Sequence, residues 1–234
     1  MMSFNKIIAI LKKQVKDTLK NKSVLLQFVM FPILTIILTN SVKLDDMPDN
    51  FFVNQFGIMY IGMTPLVCIS SIIAEEKESN TLRVLLMSNV KASEYLIGIS
   101  TYVVFLCTIG SIVIGLQGDF SQGEFLRYML LMLIGIFVSG LVGATVGIFS
   151  KNQMGATSIS VPLMVVSSLV PMLSIFNDSV KKYASVIYTQ QLSNVMNDIH
   201  ADSIDTKALI IIGINAVVAL AAFVILYRKK GLEN

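Results

Sequence analysis

Six stretches of about 20 predominantly apolar residues run along this chain of 234 residues. A helix of about 20 such residues is long enough to cross the hydrocarbon core of a bilayer. Charged residues lie mainly between the stretches and make up only 14% of the chain, against about 25% in a typical soluble domain. The sequence therefore predicts six transmembrane helices, at residues 24–42, 51–73, 95–117, 125–149, 157–176 and 208–227.

The predicted fold class is an all-α integral membrane protein in which residues 1–234 form a single transmembrane domain. Six spans place both termini on the same side of the membrane. The segments on that side hold 13 Lys and Arg residues, whereas the segments on the other side hold 5. Because Lys and Arg concentrate in cytoplasmic loops, the bias predicts a multi-pass protein of the cell membrane with cytoplasmic N- and C-termini.

Residues 4–22 alternate lysines with apolar residues at helical spacing. The apolar positions are Phe4, Ile7, Ile8, Leu11, Val15 and Leu19. A basic amphipathic helix of this kind lies in the plane of the membrane and contacts lipid headgroups. We expect it on the cytoplasmic surface.

A dense charged insert follows the second apolar stretch, and we expect a cytosolic helix over residues 75–87. Its predicted first turn carries Glu75, Glu76 and Glu78. The positive end of a helix dipole favours anions there. An apolar face follows at i, i+3 and i+4, formed by Leu82, Leu85 and Leu86. An exposed apolar face on a cytosolic helix favours docking to a partner; a solvated loop is the alternative.

Two further segments carry recognisable patterns. The fourth span has small residues at four-residue intervals, Ser139, Gly143 and Gly147, which let helix backbones approach closely, either within one chain or between subunits. Residues 177–207 predict two short amphipathic helices outside the membrane, starting at Asn177 or Asp178 and bending near residues 189–191. The apolar residues that would dip into the outer leaflet include Val180, Ile187, Leu192, Val195 and Ile199.

The sequence lacks the motifs for nucleotide binding, zinc binding and histidine-based catalysis. It contains no phosphate-binding loop of the G-x-x-x-x-G-K-[ST] type, and its single histidine, His200, cannot build a zinc cluster or a histidine-based triad. We therefore expect no catalytic residues, no metal site and no cofactor in this chain. The basic residues fit topology and lipid contacts rather than a nucleic-acid surface. Since no ionisable residue lies deep in a predicted span, proton-coupled transport is disfavoured, and a partner must supply the energy.

The insert resembles the signature of ABC-2 type transporter permeases, in which an E-E-K-E-x-G-T-L-E-x-L-L-x-[ST]-P-V stretch follows the second span. The matching residues are Glu75, Glu76, Lys77, Glu78, Thr81, Leu82, Leu85, Leu86, Ser88 and Val90. Three positions depart from the pattern. Asn80 replaces the usual glycine and tolerates the same left-handed backbone, Arg83 replaces the second acid, and Asn89 replaces the proline.

The resemblance extends over the whole chain and implies roles for these segments. It implies that residues 75–87, including Arg83, form a coupling helix that docks on an ABC ATPase subunit. The complex would contain two copies of that subunit, which binds ATP and Mg²⁺. It also implies a second permease copy or a sister permease. The segment at 177–207 is similar to the re-entrant helices that partly close the outer exit.

Small size and a composition rich in Lys, Ile and Asn resemble bacterial permeases that export antibiotics, bacteriocins or amphipathic toxins, such as staphylococcal exporters of phenol-soluble modulins. The resemblance thus implies export of a hydrophobic or amphipathic substrate, such as a drug, a lipid-like molecule or a peptide toxin. Two other readings of the residues stay open. One is a stand-alone channel or secondary carrier, and the other is a toxin-binding immunity or scaffold protein.

Overall fold

The computed structural model describes residues 4–20, 22–42, 48–200 and 205–231. Residues 21 and 201–204, which fall in the predicted N-terminal helix and the predicted external segment, lie outside the described residues. The described residues form ten helices and no strand. In chain order they are α1 (Phe4–Lys20), α2 (Lys22–Ser41), α3 (Phe51–Glu78), α4 (Thr81–Met87), α5 (Ala92–Gly115), α6 (Gln122–Phe149), α7 (Gln153–Leu173), α8 (Asp178–Ala184), α9 (Tyr188–Asn197) and α10 (Thr206–Lys230).

Six of these helices are long and apolar enough to cross a membrane: α2, α3, α5, α6, α7 and α10. The prediction of an all-α integral membrane protein with six spans is confirmed. Helix ends differ from the predicted spans by a few residues, as expected for boundaries read from hydropathy. The largest difference is in α3, which continues five residues past the predicted end, to Glu78.

The third helix is the centre of the bundle. It packs against α2, α5, α6, α7 and α9, and it is the most buried of the six long helices. Helix α10 is the least buried and contacts α6 and α9 at the edge. An element placed at either end of α3 is thus connected, through one rigid helix, to most of the bundle.

The small residues of the fourth span pack α6 against α3 within this chain. A Cβ atom added to Gly143 would lie 2.5 Å from the backbone oxygen of Leu66, and one added to Gly147 would lie 2.8 Å from Cβ of Ile73. The Ser139 hydroxyl is hydrogen-bonded to the Ile61 carbonyl and lies 2.6 Å from the Tyr188 hydroxyl. The sequence left open whether Ser139, Gly143 and Gly147 contact another helix of the same chain or a second subunit. In the structure they contact α3 of the same chain.

We expect Gly143→Ala to destabilise the permease strongly, because the new methyl group would overlap backbone atoms that cannot rotate away. Overpacking of this kind costs about 3 kcal/mol. Gly213→Ala is the matched control, since Gly213 is also inside a long helix but has open space where a Cβ would stand. It should be neutral or stabilising, because alanine favours helix. Thermal unfolding in detergent measures both, and equal stability of the two variants would contradict the close α3–α6 contact.

Hydrogen bonds tie helix ends together on the side of the bundle opposite α1 and α4. The Asp119 backbone N–H donates to the Asn50 side-chain oxygen at 2.7 Å, and the Asn54 amide donates to the Asn197 side-chain oxygen at 3.1 Å. His200 Nδ1 lies 2.6 Å from a carboxylate oxygen of Glu124. These pairs place the predicted external segments together, at one end.

The segment after α7 folds into two short helices, α8 and α9. The predicted N-cap is confirmed, because the Asn177 side chain accepts hydrogen bonds from the N–H groups of Ser179 and Val180. The predicted bend near residues 189–191 is wrong: helix α8 ends at Ala184 and α9 has already started at Tyr188. A turn bond from the Ile187 N–H to the Ala184 carbonyl closes the bend there.

The apolar face of α9 turns into the bundle and not toward the outer leaflet. Leu192, Val195 and Ile199 are all buried, and α9 contacts α3, α6, α7 and α10. The expectation that these three residues dip into lipid is therefore wrong, because the surrounding helices offer them an apolar site within the protein. Val180 and Ile187, by contrast, are only partly buried.

Candidate functional site at the charged end of the bundle

The charged insert is not one continuous helix. Helix α3 runs through Glu78, and Asn80 then adopts a left-handed backbone, with φ of 58°, before α4 begins. The predicted helix over 75–87 is wrong in this respect: Glu75, Glu76 and Glu78 form the last turn of α3 rather than a first turn. Asn80, which replaces the usual glycine and tolerates a left-handed backbone, adopts that conformation here. A second left-handed residue, Asn89 with φ of 69°, follows the end of α4.

Glu76 joins the end of α3 to the N-terminal helix. Its carboxylate oxygen Oε1 accepts hydrogen bonds from Lys13 Nζ at 2.5 Å and from Gln14 Nε2 at 2.6 Å, and Glu76 is itself buried. Burial of Lys13 lowers its pKa, but the hydrogen bond and charge of Glu76, together with nearby Asp17, outweigh this effect and raise the pKa above 10.5. Lys13 is therefore charged at physiological pH, and the pair is a true ion pair.

The next two charges of the motif bind the ends of two other helices. Lys77 Nζ donates to the Ile148 carbonyl at 2.7 Å and to the Ser150 carbonyl at 3.2 Å, where α6 ends. A Glu78 carboxylate oxygen accepts the N–H of Gln153, the first residue of α7, at 2.9 Å. A cation at a helix C-terminus and an anion at a helix N-terminus both complement the helix dipole. The turn between α6 and α7 is thus fixed to the end of α3.

Three of the four charged side chains in the E-E-K-E stretch therefore form hydrogen bonds within this chain. Their partners lie on α1, at the end of α6 and at the start of α7. Glu75 is exposed. It borders a cavity of about 230 Å³ between α1 and the α3–α4 turn, which is also lined by Lys13, Asp17 and Thr81. The contacts with α6 and α7 described above are made by Lys77 and Glu78, whereas Glu75 is exposed at the edge of this cavity.

Helix α4 has one face on the bundle and one face in solvent. Leu82 is only 1% exposed and belongs to the core, and Leu85 and Leu86 are partly buried against it. The three leucines thus attach α4 to its own chain. We call the opposite side, formed by Arg83, Val84 and Met87, the α4 outer face: all three are exposed, with Val84 at 64% and Met87 at 79%.

The sequence pattern predicted that the leucines form the exposed apolar face, and it did not single out Val84 and Met87, which are the exposed apolar residues of α4. The missing signal was the angular position on the helix: residues 83, 84 and 87 lie opposite 82, 85 and 86 at 100° per residue. Both faces carry apolar residues, so the pattern alone could not say which one the bundle covers.

Short contacts hold the two ends of α4. The Ser79 and Thr81 hydroxyls lie 2.8 Å apart across the turn before it. After it, Lys6 Nζ donates to the Asn89 carbonyl, so α1 contacts both the start and the end of this region. Helix α5 then begins at Ala92, and the Lys91 N–H donates to the Glu94 carboxylate at 3.0 Å. Helix α4 is consequently packed against α3, and α1 contacts the turn that joins α4 to α5.

Within the described residues, no group of three His, Cys, Asp or Glu side chains is placed to hold a metal ion. The site is a set of charged and apolar side chains arranged for contact. These side chains lie at the ends of the long helices α3, α6 and α7 and at the start of α5.

Comparison with known families identifies the kind of protein to which this bundle belongs. The family model of the ABC-2 family transporter protein matches residues 2–228, nearly the whole chain. No curated protein matches the sequence, so the assignment rests on the family model together with the six spans. The chain belongs to the ABC-2 transporter family, as the membrane-spanning permease component of an ABC transporter.

Proposed function

We propose that this permease drives export of a hydrophobic or amphipathic substrate, such as a drug, a lipid-like molecule or a peptide toxin, powered by a separate ABC ATPase. The observation that carries the proposal is the α4 outer face. It presents two exposed apolar side chains on a helix whose other side is buried in the bundle. A contact made there would move the end of α3 and, through it, the helices that α3 touches.

The α4 outer face has the composition expected of a docking surface. Val84 and Met87 would be the apolar anchors, and Arg83 beside them, with exposed Glu75 nearby, would give polar contacts at the rim. Buried apolar anchors contribute most of the binding energy at such interfaces, whereas charges at a wet rim contribute orientation. Glu76, Lys77 and Glu78 would act indirectly, by fixing the helices that receive the force.

The complex that we propose contains two ATPase chains, which bind ATP and Mg²⁺, and a second permease, either another copy or a sister chain. The side carrying α1, α4 and the α6–α7 turn would face the cytoplasm of a bacterial cell, since it carries most of the Lys and Arg residues. Exposed apolar faces on α2 and α7 are available for contact with the second permease or with lipid.

Uncharged polar groups between the central helices support an amphipathic substrate. The Ser70 and Ser160 hydroxyls are 2.8 Å apart where α3 meets α7, and Ser139 pairs with Tyr188 where α6 meets α9. A molecule that moves between these helices would meet hydroxyl groups and apolar side chains. We propose that α9 acts as part of the outer gate, because it sits against four other helices at the outer end.

The test is whether an ABC ATPase from the same cell co-purifies with the permease. We expect Val84→Asp combined with Met87→Asp to weaken the association about a hundredfold, because two apolar anchors are lost. The double variant should insert and fold normally, since both side chains point away from the bundle. ATP hydrolysis by the complex should fall to the level of the isolated ATPase.

The matched control is Tyr183→Asp with Val186→Asp, which charges two similarly exposed apolar residues at the opposite end of the bundle. This variant should keep the ATPase bound. Undiminished co-purification of the folded Val84/Met87 variant would reject the α4 outer face as the ATPase contact. If no ATPase accompanies even the unaltered chain, a stand-alone channel or carrier would become the better hypothesis.

A further inference from the structure

A groove at the outer end of the bundle lies apart from the α4 site and has a distinct chemistry. It has a volume of about 430 Å³ and runs between α6, α9 and α10. Its apolar lining is Leu130, Leu131, Ile134, Val195, Ile199 and Leu209. The pair between His200 and Glu124 joins the end of α9 to the start of α6 and holds one wall of the groove in place.

The polar residues of the groove are grouped and of both signs. Arg127 comes from α6, Asp198 caps the C-terminus of α9, and Asp205 caps the N-terminus of α10. A guanidinium has five N–H donors, so Arg127 can bind a phosphate while it keeps other partners. The two aspartates match an ammonium group. A ligand that carries a phosphate and an ammonium next to an apolar tail complements all three charges.

The order of these residues along the membrane normal fits such a ligand. Asp205 directly precedes the first residue of α10, whereas Arg127 is five residues beyond the first residue of α6, about 7.5 Å along its axis. Ile134 lies seven residues further on, about 10 Å deeper. The groove therefore has carboxylates at the end of α9 and the start of α10, a guanidinium further along α6, and apolar residues further still. In a phospholipid the ammonium, the phosphate and the acyl chain follow in that same order.

We propose that this groove binds an outer-leaflet phospholipid whose headgroup carries an ammonium group. The Arg127 guanidinium contacts the phosphate, Asp198 and Asp205 contact the ammonium, and an acyl chain lies along Leu130, Ile134 and Leu209. The lipid fills the space between α9 and α10 and stabilises α9 from the membrane side. This site is independent of ATPase docking.

The test uses the purified full-length permease in nanodiscs that contain a phospholipid with a photoreactive diazirine in its acyl chain. One preparation carries an ethanolamine headgroup and the other a glycerol headgroup. Mass spectrometry of the cross-linked peptides should find adducts at Leu130, Ile134 and Leu209, about fivefold more with ethanolamine. Asp198→Asn combined with Asp205→Asn should remove that preference, while the amide introduced at the second position still caps α10.

A steric pair provides the matched control. Leu130→Trp should block the acyl-chain position and remove the adducts, whereas Leu133→Trp, at an exposed α6 residue that does not line the groove, should leave them. Equal labelling by both headgroups, or labelling of the groove no stronger than at exposed Leu26 on α2, would overturn the proposal. So would complete displacement of the lipid by an amphipathic cationic peptide, which would assign the groove to substrate.

Discussion

Replacing Leu82 by aspartate is expected to prevent the permease from folding, not merely to disconnect it from an ATPase. Leu82 is 1% exposed and part of the hydrophobic core, so the variant would bury a carboxylate among apolar side chains. Loss of the leucine contacts and burial of the new charge together cost more than about 4 kcal/mol. The measurement is the yield of monodisperse protein after extraction in detergent, followed by its thermal unfolding.

Two variants separate this structural role from a docking role. Leu82→Ala removes the side chain without adding a charge and should cost about 3 kcal/mol. Val84→Asp introduces the same charge on the same helix, but at a 64% exposed position, and should change the stability by less than about 0.5 kcal/mol. If the Leu82→Asp variant is folded and monodisperse but no longer binds the ATPase, Leu82 is part of the docking surface. That result would contradict the placement of α4.

Glu76→Ala is also expected to destabilise the permease strongly, by about 2 to 3 kcal/mol. The variant leaves Lys13 and Gln14 without their shared acceptor, and breaking a buried ion pair typically costs about 3–5 kcal/mol. The lower figure applies because the Lys13 side chain is 29% exposed and water can replace part of the interaction. Thermal unfolding in detergent measures the change. Because the pKa of Lys13 is raised, the contribution of its charge is fully present at neutral pH and is lost as the pH rises through that raised pKa.

Glu75→Ala is the control for Glu76→Ala, because the neighbouring carboxylate is exposed and should affect stability little. A double-mutant cycle with Lys13→Ala isolates the pair, and the double variant should lose clearly less than the sum of the two single changes. Additive losses would mean that α1 and α3 are not connected through this ion pair. In that case α1 would not move with the end of α3 when an ATPase acts on α4.

Much of the architecture follows from local sequence. Each span is a run of apolar residues long enough to cross a bilayer, and such a run has no other stable environment, so hydropathy alone predicts all six helices. The left-handed turn at Asn80 and the cap at Asn177 were predictable for a similar reason. Each depends on the backbone preference or side-chain reach of one residue, which neighbouring helices do not alter.

Tertiary structure decided which surfaces are covered. Leu82 and Met87 lie on one short helix, and both are apolar, yet one is in the core and the other is 79% exposed because α3 covers only one side. Glu76, Lys77 and Glu78 are consecutive charges, but their partners on or beside α1, α6 and α7 are 62 or more residues away in sequence. Periodicity gives the faces of a helix, whereas the identity of the neighbour on each face depends on long-range packing that only the folded bundle establishes.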